Sequence, residues 1–130
     1  MIAVDPEDNV TLHLTRGDKI TNLSFYYPIL NRDTMEEENY VFKVGDKISF
    51  IVKAKKGYTK EEVFRKEFII EEETEYPLIQ LTGNETKWGE MKNKRTTYWY
   101  DIVLNDDITI LGYDDDGAKK LYLYPEGDEI

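Results

Sequence analysis

The sequence predicts an all-β fold, a two-sheet β-sandwich of about seven to eight antiparallel strands, and three observations carry that expectation. Apolar and polar residues alternate at period two, most clearly where Ile48, Phe50, Val52 and Ala54 are interleaved with Ser49, Ile51, Lys53 and Lys55. Turn signals built on glycine, asparagine and aspartate separate short extended pieces at the spacing of a sandwich or barrel. Aromatics make up 13% of the chain, with ten tyrosines and two tryptophans, a composition that favours pleated strands. No apolar stripe at helical spacing runs for about ten residues.

The elements follow in order. Val10, Leu12 and Leu14 alternate with Thr11, His13 and Thr15 in a first strand that ends at the turn Arg16-Gly17-Asp18. A second extended piece, Ile20 to Tyr27, stops at Pro28, which has no N–H to give to a ladder. Residues 28–40 read as a connection, because Asn31-Arg32-Asp33-Thr34 and Glu36-Glu37-Glu38 give them no apolar face. Tyr40 to Val44 leads to the turn Gly45-Asp46, and the strand around Phe50 runs on to Lys56-Gly57. Val63 to Ile70 is the next strand, followed by the acidic run Glu71 to Glu75 and by a short strand from Leu78 to Thr82. Gly83-Asn84 opens a second polar connection, 83–96, which carries Trp88 and Met91 and has room for a single helical turn. Tyr98, Tyr100, Ile102 and Leu104 then share one face of a strand, with Trp99 on the other. Ile108–Leu111 and Leu121–Tyr124 close the fold, with Asp116-Gly117 expected as the tip of a hairpin between them.

With 130 residues and 15.4 kDa the chain reads as one domain, 1–130, large enough to bury a core without metal or disulfide. Cysteine is absent, which excludes thiol nucleophiles and cysteine zinc sites. No basic start followed by an apolar run marks a cleaved leader, and Pro28 interrupts the longest apolar run, Phe25 to Leu30. Synthesis in the cytoplasm is the expectation. The 27 acidic and 17 basic residues leave a net charge of −10, a field that repels phosphate backbones and anionic lipid. Nucleic acid and membranes are therefore not expected as partners.

Candidate chemistry is sparse. His13 is the only histidine and lies on the polar parity of its strand, so triads and multi-histidine metal sites lack material. Asp114-Asp115-Asp116, near Asp106-Asp107, offers carboxylates to calcium, but three adjacent aspartates before a glycine fit a solvated turn better than an alternating ligand loop. With 27 acids in 130 residues, carboxylate pairs of the glycosidase kind arise by chance. Arg16-Gly17-Asp18 matches an adhesion tripeptide yet sits between two strands as ordinary turn chemistry. No catalytic, cofactor or metal residue is assigned, and no enzyme activity is expected. The aromatics fit protein interfaces better than sugar platforms, and the residues expected at such an interface are Trp88, Tyr98, Trp99, Tyr122 and Tyr124.

Several of these segments carry a resemblance. Thr11-Leu12-His13-Leu14-Thr15-Arg16-Gly17-Asp18 and Tyr40-Val41-Phe42-Lys43-Val44-Gly45-Asp46-Lys47-Ile48-Ser49-Phe50 resemble the start of small tail-associated proteins of phages and prophages of Gram-positive bacteria. Tyr98-Trp99-Tyr100-Asp101-Ile102, Gly112 to Lys119 and Leu123-Tyr124-Pro125-Glu126-Gly127 are similar to the same group, so the likeness covers roughly residues 10–127. The resemblance is to the N-terminal immunoglobulin-like domain of upper baseplate proteins, which usually continue into a receptor-binding arm. It implies an immunoglobulin-like sandwich in the virion, at the tail or baseplate. It also implies a structural role by docking onto other tail proteins, with homo-oligomers as a second arrangement. A carbohydrate-binding sandwich for cell-surface attachment is the alternative.

Overall fold

The computed structural model of the chain describes residues 2–4, 11–88, 94–111 and 119–125, and strand predominates among them. The strands are β1 (Ile2–Val4), β2 (Leu12–Thr15), β3 (Ile20–Phe25), β4 (Pro28–Asn31), β5 (Glu36–Asn39), β6 (Lys47–Lys56), β7 (Thr59–Ile69), β8 (Leu78–Leu81), β9 (Thr96–Leu104), β10 (Ile108–Leu111) and β11 (Lys120–Tyr124). One 3-10 turn, Asn84–Thr86, follows β8. A large sheet has the order β2-β11-β9-β6-β7 with β10 also beside β9, a small one runs β1-β3-β8, and β4-β5 form a separate hairpin.

The core lies between the large and the small sheet. Period-two alternation aims Phe50 and Val52 of β6 and Tyr98, Tyr100, Ile102 and Leu104 of β9 inward, and all six are buried. They share one cluster with Leu23 and Phe25 of β3, Ile79 and Leu81 of β8, and Leu121 and Leu123 of β11. Burial alone pushes the Tyr100 hydroxyl well above the usual tyrosine range. The expected parity of β9 is therefore the observed one.

Four expectations need correction. The sheets are mixed, since β11 pairs β2 in parallel (Leu121↔Leu12 to Tyr124↔Thr15) and β1 pairs β3 in parallel (Ile2↔Leu23). Side-chain alternation specifies which face a residue occupies but not the direction of the neighbouring strand. Here Arg16-Gly17-Asp18 carries the chain from β2 in the large sheet to β3 in the small one, so β2 acquires its neighbour only when the last strand returns.

The second correction concerns 28–40, which is a hairpin with register Pro28↔Asn39 to Asn31↔Glu36. It has solvent on both faces and therefore no apolar alternation. The Asn31 side chain makes its turn by accepting from Asp33 N–H at 3.0 Å, while Met35 N–H donates to Asn31 O at 2.7 Å. Third, β7 begins at Thr59 and not at Val63, extending through Lys60, Glu61 and Glu62 along the polar edge of the large sheet.

The fourth concerns the hairpin placed at Asp116-Gly117. Gly112 to Ala118 lies outside the described residues, but β10 and β11 both pair antiparallel with β9 and not with each other. They run in the same direction along one side of β9. The true hairpin is β9–β10, turned by Asn105 and Asp106 at φ 52° and 59° and closed by Asp107 N–H on Leu104 O at 3.1 Å. The adjoining Asp46 carboxylate accepts from Lys43 N–H, the Tyr40 hydroxyl and Asn105 Nδ2.

Candidate docking surface

The outer face of the large sheet presents a surface that alternation makes and side chains elaborate. Opposite the core parity, the rows across the strands read His13, Tyr122 and Thr97, then Lys120, Trp99, Lys53 and Glu62, then Asp101, Ile51 and Arg65. One half is aromatic and capped by cations. The His13 ring lies 5.5 Å from Tyr122 and 5.9 Å from Tyr124, with His13 Nδ1 2.9 Å from Tyr124 Oη. The Arg95 guanidinium sits 4.0 Å over the Tyr122 ring, and Lys60 Nζ sits 5.3 Å from the Trp99 ring centroid.

The other half is an ion-pair lattice over small or apolar residues. Lys53 bonds Asp101 at 2.6 Å, Arg65 meets Glu62 at 2.9 Å and Glu67 at 3.7 Å, and Lys47 bridges Glu67 and Asp106. The Asp106 hydrogen bond, chiefly, holds the Lys47 ammonium above the usual lysine range. Under these long side chains Ser49, Ile51 and Asp101 are buried although they face away from the core. Lysine and arginine stems thus cover the middle of an outward-facing sheet.

The five aromatics expected at an interface divide between two places. Trp99, Tyr122 and Tyr124 are half-buried on this outer face. Trp88 and Tyr98 are core residues: Trp88 stacks on Phe64 at 5.1 Å and meets Tyr98 edge-on at 6.2 Å. Trp88 is only 6% exposed, leaving a partner nothing to grip. Its position is fixed by the turn before it and by Arg16, whose Nη1 donates to Trp88 O at 2.8 Å. The polar segment around Trp88 has no alternation that could have shown this. For Tyr98 the signal existed, because it shares parity with Tyr100 and Ile102.

Arg95, Lys60, Lys53 and Asp101 belong to the face and were not anticipated. Asp101 could have been found, since it lies two residues from Trp99 on the same parity.

The Arg16-Gly17-Asp18 turn is a structural joint. Gly17 adopts φ 88° and donates its N–H to Thr86 Oγ1 at 3.0 Å, while Thr86 Oγ1 lies 2.8 Å from Asp18 O. Gly83 packs so closely beneath it that a Cβ there would come 2.5 Å from Gly17 O. Asp114 to Asp116, the candidate calcium ligands, lie outside the described residues. Among the described residues no group of His, Cys, Asp or Glu converges to hold a metal ion, and no helix is long and apolar enough to cross a membrane. Comparison with protein-family models, with curated proteins and with solved structures finds no match.

Proposed function

We propose that this chain is a non-enzymatic structural protein of a phage or prophage tail. In this reading it is a tail or baseplate accessory subunit that docks the outer face of its large sheet onto another tail protein. The observation that carries the reading is the composition of that face. Trp99, Tyr122, Tyr124 and Arg95 are the residue types that concentrate binding energy at protein interfaces, and they are gathered on one half of one sheet. Around the aromatic half the cations Lys60, Arg95 and Lys120 are set on a chain of net charge −10, an arrangement that would orient the molecule on approach.

The finer fold assignment, an immunoglobulin-like sandwich, belongs to the same reading. It is supported by two sheets of unequal size with one core between them and by the chain crossing from one sheet to the other at Arg16-Gly17-Asp18. On this account the protein is made in the bacterial cytoplasm and ends in the virion.

Mass spectrometry of particles purified after prophage induction tests the reading. A fixed stoichiometry with tail proteins is the expected result, and tails that lack the chain would remove it. Incorporation should fall when Trp99→Ala and Tyr122→Ala are combined, because each hot-spot aromatic contributes about 2 kcal/mol or more to binding. Attachment to cell-surface glycan is the second reading, favoured by the flat Trp99 and Tyr122 rings. Both rings already carry a cation, at 5.3 Å and 4.0 Å, which a sugar would have to displace. A glycan array separates the two, since a docking subunit shows no saturable sugar binding.

A further inference from the structure

The side of the molecule where the two sheets end carries a second surface of a different kind. β7 is the last strand of the large sheet and β8 the last of the small one. Lys66, on the inner parity of β7, spans them: its Nζ donates to Gln80 O at 3.0 Å and to Glu85 Oε1 at 2.7 Å. Further along β7 a groove of about 660 Å³ opens between Phe68, Ile69 and the segment Tyr76-Pro77-Leu78. Ile69, Tyr76 and Leu78 are 59%, 54% and 45% exposed. Scattered apolar exposure is ordinary, but three large side chains on the walls of one groove form a patch.

Two further features say what fits there. An unpaired strand edge is usually guarded by charge. The first nine residues of β7 are so guarded, by Lys60, Glu61, Glu62, Arg65, Lys66 and Glu67, but Phe68 and Ile69 at the mouth of the groove carry none. The groove is also lined by carboxylates. Glu62, Glu67, Glu85 and Asp101 sit in ion pairs, whereas Glu71, Glu72 and Glu73 of the groove, like Glu36, Glu37 and Glu38 of the hairpin, enter none among the described residues and are exposed. The groove therefore pairs an apolar wall and an open strand edge with an unneutralised acidic rim. A second copy of a chain with net charge −10 is a poor match for that rim, and a basic segment is a good one.

We propose that this groove receives an extended segment of a partner protein, alternating lysine or arginine with valine, isoleucine or leucine, as an added strand beside the C-terminal end of β7. Main-chain hydrogen bonds to the strand edge would supply affinity. The apolar side chains would enter between Ile69 and Leu78, and the basic ones would meet Glu71, Glu72 and Glu73. The groove adjoins the outer face at Ile69, opposite Lys47, but none of its lining residues is among those named for that face, and the proposal stands or falls without it.

The test is fluorescence anisotropy of a labelled synthetic peptide of about ten residues, alternating lysine and valine, against the full chain at physiological ionic strength. Saturable binding is expected, weakened by at least about tenfold in the combined Glu71→Lys, Glu72→Lys and Glu73→Lys variant and in Leu78→Asp. The hairpin variant combining Glu36→Lys, Glu37→Lys and Glu38→Lys, and Trp99→Ala, should each stay within about twofold of the parent. A peptide with serine in place of valine should lose most of the affinity, a control that needs no folded variant. Three results would overturn the proposal: no saturable binding, equal binding of the serine peptide, or equal weakening by the hairpin charge reversal. Sedimentation showing that the chain fills the groove with a second copy of itself would overturn it as well.

Discussion

Replacing Trp88 separates its role in the core from the role that its residue type alone implies. The side chain is 6% exposed, stacked on Phe64 at 5.1 Å and edge-on to Tyr98 at 6.2 Å, so Trp88→Ala removes nearly a whole buried indole. Burying an aromatic of this size takes roughly 200 Å² from water, which at about 25 cal/mol per Å² is close to 5 kcal/mol. Truncations of buried tryptophan cost about 3–5 kcal/mol, with the spread set by how far the site collapses. Phe64 is itself only half-buried and can move in, which places the expectation near about 3 kcal/mol. Urea denaturation followed by far-ultraviolet circular dichroism measures it. With a slope of roughly 1–3 kcal/mol per molar urea, the midpoint should fall by about 1–3 M at unchanged slope. Trp99→Ala, on the outer face, should cost much less, about 1 kcal/mol. A loss below about 1 kcal/mol for Trp88→Ala, or a larger loss for Trp99→Ala, would refute the division of the two tryptophans between core and surface.

Three further outcomes are expected. Gly83→Ala drives a Cβ to 2.5 Å from the Gly17 carbonyl oxygen, a backbone atom that cannot swing aside, and should cost about 1–3 kcal/mol; a thermal melt at the parent value would contradict the close approach. Burial alone would push the Asp46 carboxyl up, but hydrogen bonds from Lys43 N–H, Asn105 and Tyr40 outweigh it and hold the carboxyl below the usual range. That stability is present above the unfolded value of about 3.9 and is lost as pH falls through the lower folded one, so Asp46→Asn should flatten the acid limb of stability against pH; an unchanged limb would count against the network. Lys66→Leu removes the charge aimed inward from the edge strand. It should alter stability by no more than about 1 kcal/mol, since the Lys66–Glu85 pair is partly exposed, but should raise concentration-dependent association in sedimentation; an unaltered profile would dispose of the guarding role.

What the sequence discloses follows from what alternation can encode. It encodes face, so the inward set Tyr98, Tyr100, Ile102 and Leu104 and the outward Trp99 are both legible from one strand. It does not encode direction, so the parallel seating of β2 beside β11 is invisible until the sheets are assembled. It fails where both faces are wet, as in the hairpin of Pro28–Asn31 and Glu36–Asn39, where turn chemistry at Asn31 takes the place of an apolar pattern. It misleads where a strong local turn signal, Asp116-Gly117, lies between two strands that each choose β9 as partner. The candidate docking surface is half legible for the same reason. Aromatic identity selected five residues, and only three of them, Trp99, Tyr122 and Tyr124, stand on the outer parity. The cations that cap them come from Lys60 and Arg95, on segments whose polar composition gives no sign of where they fold back.

The proposed docking through the outer face of the large sheet is read out by hydroxyl-radical footprinting of the chain free and in purified tail particles. Trp99, Tyr122 and Tyr124 should lose labelling in the particle, while Trp88 should be protected in both states. Unchanged labelling of these three residues in particles that contain the chain would contradict it.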